Sequence, residues 1–184
     1  MTVQKLSCDC GTLRGEIDVA PRSGARMVCH CADCRANARL LCRAAEDGVT
    51  IWHTTPDRIR IHAGADRLAA HRLKPGGLLR WYAACCRTPI ATTMTRRTLP
   101  FVGVEAFPFE DPHALGPVIA EGHMPDGKGG VRHRGLGRVI AGVLLRGFAA
   151  RAGFRRGDPF RTEAGAPAGP VHVLTETERA PLYD

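Results

Sequence analysis

The sequence predicts a mainly β protein with a C-terminal helical extension. Three observations predict it. Glycine (21) and proline (13) are frequent among the 184 residues, and aromatic residues make up only 5%; that balance favours short strands and turns. Apolar residues in the first hundred positions alternate, or form short runs bounded by turn residues. Between residues 136 and 152 the apolar period becomes that of a helix.

The elements follow in chain order. Residues 4 to 20, QKLSCDCGTLRGEIDVA, read as a hairpin, with Leu13, Ile17 and Val19 loosely alternating with polar residues. Residues 35 to 43, RANARLLCR, suit a short helix. Residues 48 to 62 give a strand, a turn at Pro56 and Asp57, and a second strand. In that second strand Ile59 and Ile61 face one way, and Arg58, Arg60 and His62 the other. Next, LAAHRLKPGGLLRWYAACCRTPI reads as two strands around a KPGG turn, the second ending at Cys85 and Cys86. Residues 108 to 135, rich in Pro, Gly and His, read as loop or linker. In 136 to 152, Val139, Ile140, Val143, Leu144 and Phe148 form a stripe expected to face the core. Residues 153 to 184 read as an irregular tail, where VHVLTETERAPLYD holds a short strand or a turn capped by Thr175. The expected organisation is a β domain over 1–108. Over 109–184 a loop-rich linker, one amphipathic helix and a tail pack on it.

Composition narrows the function classes. Hydrophobic residues at 44% exclude a disordered chain and supply a core. The formal charge of +8 attracts anions, whether nucleic acid, acidic membrane or a small carboxylate, without choosing among them. No apolar segment follows Met1, so no secretory leader is expected. The longest apolar run, LGRVIAGVLLRGFAARAG, is broken by Arg138, Arg146 and Arg151. It falls short of the ~20 residues a bilayer span needs. A cytoplasmic protein is expected, and in a reducing cytosol clustered cysteines point to metal or catalysis before disulfides.

Seven of the eight cysteines fall in three tight groups: Cys8 and Cys10; Cys29, Cys31 and Cys34; Cys85 and Cys86. Zinc takes a tetrahedron of thiolates, and groups far apart in the chain can close round one ion. Seven thiols divide as four plus three, a closed structural site and a site with one open position. Two Zn2+ ions are therefore expected. A redox dithiol at Cys31 and Cys34 is the alternative, but the thioredoxin-like context is missing. Cys42 reads as a small buried hydrophobe. His30 lies between two thiols, where imidazole serves as a ligand or proton carrier, or points away.

The segments SCDCGTLRGEI, CHCADCR and RWYAACCRTPI resemble the three signature segments of the glutathione-dependent formaldehyde-activating enzyme family, over residues 5 to 100. The resemblance implies a β-tent zinc fold. It implies that Cys8 and Cys10 join Cys86 round a structural zinc, while Cys29, Cys31 and Cys34 hold a second zinc at the active site. It also implies carbon–sulfur lyase chemistry on glutathione, or on another small thiol adduct of an aldehyde. The late motif departs from the family pattern. Its expected first cysteine falls on Ala83, and the usual glycine after the last cysteine is Arg87. Either Cys85 replaces the missing ligand, or the first site has three cysteines and another donor.

Arg35, Arg39 and Arg43 recur every four residues and share one face if that stretch is helical. Arg35 and Arg39 are the candidates for substrate carboxylates. Trp52, Trp81 and Tyr82 read as core packing, and His113, His123 and His133 as surface residues. No interleaving of basic and aromatic residues suits stacked bases, so nucleic acid is not the expected partner. The rival reading is a non-catalytic zinc module that binds a protein or nucleic-acid partner through its basic surface.

Overall fold

The computed structural model describes residues 3–20, 22–95, 100–106, 108–152 and 157–183. Two sheets carry the chain. Strands β1 (Val3–Ser7), β2 (Arg14–Asp18) and β5 (Ile59–Ala63) form a small antiparallel sheet in the order β1-β2-β5. The large sheet contains β3 (Ala25–Cys29), β4 (Val49–Thr54), β6 (Leu68–Arg72), β7 (Leu79–Ala83), β8 (Pro89–Thr93) and β9 (Val102–Glu105). It is completed by β10 (Val118–Pro125), β11 (Val131–Arg134) and β12 (Val171–Val173), in the order β11-β10-β3-β4-β9-β8-β7-β6-β12.

Side-chain alternation explains the layering. Leu79, Trp81 and Ala83 of β7 point into the space between the sheets and meet Leu6, Ile17 and Ile59 of the small sheet, with Leu13 from the β1–β2 loop. Trp81 is 1% exposed, and its ring nitrogen donates to Thr93 Oγ1 at 2.9 Å, so its polar edge is satisfied in the core. A second cluster lies at the β3–β4–β10 end, built from Ala25, Met27, Val49, Ile51 and Ala120. Helices α1 (Ala32–Leu40) and α2 (Leu136–Ala152) supply Ala38 and Val139 to it.

The mainly β class with a C-terminal helix is the architecture present. Residues 108–135 differ from the loop reading: β10 runs parallel to β3 and antiparallel to β11. Val118 to Pro125 carry little strand signal of their own. Their ladder is supplied by a partner about ninety positions earlier, and long-range pairing overrides local composition there. In the tail, β12 pairs with β6. Thr175 caps the short helix α3 (Glu176–Arg179) with a reciprocal Glu178 contact. Helix α2 spans the expected residues, but its stripe does not all face inward: Ile140, Leu144 and Phe148 are 51%, 55% and 75% exposed. Residues 153–156, which continue the basic segment, lie outside the described residues.

Candidate metal centres

The first cysteine group joins two turns. Cys8 and Cys10 lie in the loop between β1 and β2; Cys85 and Cys86 lie in the turn between β7 and β8. Adjacent strand residues point to opposite faces, but this pair has left the strand. The Ala83 carbonyl accepts from the N–H groups of Cys86 and Arg87, and Arg87 adopts φ 62. That left-handed position favours glycine; an arginine there costs roughly 1–2 kcal/mol. The turn brings both thiols to one place.

Four thiolates round one zinc, each ~2.3 Å from it, lie about 3.8 Å apart. The Sγ separations are 3.5 Å for Cys8–Cys10, 3.8 Å for Cys8–Cys85, 3.3 Å for Cys10–Cys85 and 3.9 Å for Cys85–Cys86. All four sulfurs lie within 4.8 Å of one another. The donor set therefore fits a closed tetrahedral ion. Leu13 N–H donates to Cys8 Sγ at 3.2 Å. Hydrogen bonding by Thr12 holds the Cys10 thiol down to about 6, toward the deprotonated form that a metal ligand needs.

The second group joins a strand end to a helix start. Cys29 ends β3, Cys31 is the N-cap of α1, and Cys34 sits in its first turn. Their sulfurs also lie within 4.8 Å of one another. Cys34 N–H donates to Cys31 Sγ at 3.3 Å. Hydrogen bonds from Cys29 and then Cys34 pull the Cys31 thiol far below its usual range, while Cys34 is pushed well above. One thiolate shared among three thiols, at a helix N-terminus, is a local sink of negative charge. Three sulfur donors leave a tetrahedral metal one position short.

A cleft of about 420 Å³ opens beside the triplet. His30, Cys31, Ala32 and Arg35 form one wall; His123, Pro125 and the glycine-rich turn to Val131 form the other. His30 is outside the three-sulfur group. Its N–H donates to the Gly122 carbonyl, which ties the triplet to β10, and its ring packs against Gly48. A Cβ on Gly48, already at φ 89, would stand 2.8 Å from His30 Nδ1. The hairpin is fastened by His123 N–H donating to His133 Nδ1 at 3.0 Å.

The three arginines of the helical face go to three places. Arg35 lines the cleft. Arg39 donates to the Leu182 carbonyl at 2.8 Å, away from it. Arg43 pairs with Asp9, inside the first cysteine loop. Arg87 donates to the Leu40 carbonyl, so the C-terminal end of α1 is tied to the first group while its N-terminus carries the second. Cys42 is exposed at φ 58, in a turn that follows the helix, and is not the buried residue expected.

Beneath α1 lies a polar chain that the sequence reading missed. Asn37, 1% exposed, donates to Glu105 Oε1 at 2.8 Å and accepts from His71 Nε2 at 2.7 Å. Burial raises the Glu105 carboxyl to about 7 and lowers His71 to about 4. Arg80, on the same side of the sheet, draws both values down. The signal available was one acid in the apolar strand VGVE.

A family described as "Family of unknown function (DUF6151)" matches residues 1–130. No curated protein matches the chain. Among solved structures, a crystal structure of a Rhodobacter sphaeroides protein is similar at 22% identity and a TM-score of 0.45, over 62% of this chain and 96% of that one.

Proposed function

The chain belongs to this family of unknown function, DUF6151, and we propose from its own donor sets that it is a two-zinc protein with one open site. Cys8, Cys10, Cys85 and Cys86 hold a structural zinc that staples the two turns. Cys29, Cys31 and Cys34 hold a second zinc facing the cleft. One observation carries this reading: the group with a thiol too few is the group beside a cleft.

The activity proposed is carbon–sulfur bond making or breaking on a small thiol adduct of an aldehyde, glutathione included. The resemblance to the glutathione-dependent formaldehyde-activating enzymes supports it. A zinc ion held by the triplet supplies Lewis acidity, which lowers a thiol pKa or polarises a carbonyl. The chain supplies the rest. Arg35 offers a guanidinium fork for a carboxylate. The α1 N-terminus favours negative charge at Cys31. His30 and His123 offer imidazoles on opposite walls for proton transfer.

The test is metal content per chain for wild type and Cys31→Ser, purified without chelator. Two zincs falling to one, with circular dichroism unchanged, is the expected result and opens a screen of glutathione with aldehydes. One zinc or none in the wild type, unchanged by the substitution, would overturn the open site. Two zincs with no thiol or aldehyde turnover would leave the non-catalytic zinc module.

A further inference from the structure

Helix α2 is apolar on both sides. The inner side is accounted for: Val139 and Gly147 are buried, and Leu136 and Val143 pack on the cluster at β3, β4 and β10. The outer side is not. Ala141, Leu144, Leu145, Phe148 and Ala152 are exposed; Leu145 and Phe148 are 72% and 75% accessible. Helices apolar all round are normally covered, and a contiguous exposed apolar face marks an interaction surface. Ile140 and Leu144 also line an apolar groove of about 260 Å³ with Met27, Met94 and Phe101. His53 beside them is held down to about 4 by burial, so it is neutral and leaves the groove uncharged.

Charge decides the occupant. From Val131 to Gly157 the sequence has seven arginines and no Asp or Glu. Arg134 is paired with Glu121, and Arg146 donates to the His53 carbonyl. Arg132 and Arg138 are exposed near the start of the helix. Two copies of this face would bring like charges together. A nucleic acid would gain nothing from Leu145 and Phe148. A bilayer surface with anionic headgroups suits both features, because apolar side chains enter the acyl boundary while arginines meet the headgroups.

We propose that α2 docks the chain on an anionic lipid bilayer, lying in the plane of the headgroups with Leu144, Leu145 and Phe148 inserted. No crossing is involved: no helix among the described residues is long and apolar enough to span. The proposal does not depend on the metal reading. The full chain is to be sedimented with phosphatidylcholine vesicles, with and without equimolar phosphatidylglycerol. Binding is expected only with the anionic lipid and should weaken as salt rises. The double substitution Leu145→Glu with Phe148→Glu should abolish it. Arg132→Gln and Arg138→Gln should each weaken it about fivefold. Circular dichroism and metal content should stay unchanged in all of them. No sedimentation with anionic vesicles, or sedimentation that survives the double substitution, would overturn the proposal. So would a concentration-dependent dimer in lipid-free solution that the double substitution disperses, which would make a second copy the occupant.

Discussion

The two cysteine groups stand at opposite ends of one nine-residue helix, and they are built in opposite ways. The group with four sulfurs joins two loops far apart in sequence and is the more exposed, with Cys10 and Cys85 both at the surface. The group with three is local in sequence, set at a strand end and a helix start, with Cys29 buried. Exposure alone would mark the four-sulfur group as the more reactive. Donor number and the neighbouring cleft point the other way: four thiols complete a coordination sphere at the surface, and three leave a position beside a cavity.

The largest expected effect separates the groups by stability. Structural zinc contributes apparent binding free energies of ~10–16 kcal/mol in small domains, comparable with the whole stability of ~5–15 kcal/mol of an ordinary fold. Cys8→Ser should therefore lose a cooperative thermal transition, whereas Cys31→Ser should keep one. Thermal denaturation followed by circular dichroism checks this, and equal losses would erase the contrast.

Chelation sharpens the contrast in time. A chelator can enter an open coordination position directly, so one zinc should leave quickly with secondary structure intact. The second should leave together with unfolding. A single phase of zinc release, matched by loss of ellipticity, would mean that the two groups are equivalent.

A smaller effect is expected at Asn37, beneath the helix between the groups. Asn37→Ala leaves buried atoms of Glu105 and His71 without partners, at about 1–3 kcal/mol each. A fall of roughly 4–24 °C in Tm follows for a chain of this size. Because Cys31 caps the same helix, zinc affinity of the triplet should fall as well, with the four-thiol site unaffected.

The smallest effect is a pair of opposed pH dependences. Glu105 is raised from 4.5 to about 7 in the fold, so its stabilisation is full below 4.5 and lost as pH rises to 7. His71 is lowered from 6.5 to about 4, so its stabilisation is full above 6.5 and lost as pH falls to 4. In wild type the two oppose each other between about 4.5 and 6.5. Glu105→Gln should make stability rise with pH across that range; His71→Gln should make it fall. Urea denaturation at stepped pH reads the slopes.

The cysteine groups, the first hairpin and strands β4 to β7 were legible because their signals are local, whereas β3, β8 and β9 were not read as strands. Thiol spacing, alternation at Ile59 and Ile61, and the KPGG turn each act over a few residues. The β10–β11 hairpin was not legible, because β3 and not its own composition makes it a strand. Helix α2 was legible as a helix but not by its faces. Val139 and Leu144 obey the same period, and only the packed structure distinguishes the buried one from the exposed one. The Asn37–Glu105–His71 chain joins three residues from separate elements, which no short-range pattern reports.

The difference in sequence separation also sets a timetable during synthesis. Cys29 to Cys34 emerge together, so their three sulfurs are available to a metal ion while most of the chain is still to be made. The four-sulfur group cannot close until Cys86 is present, 77 positions separating Cys8 from Cys85. At ~5–20 residues per second that wait is several seconds. The opposite wall of the cleft, residues 123 to 131, arrives later still. The nascent triplet is therefore complete before its cleft is walled, and the two groups assemble in a fixed order.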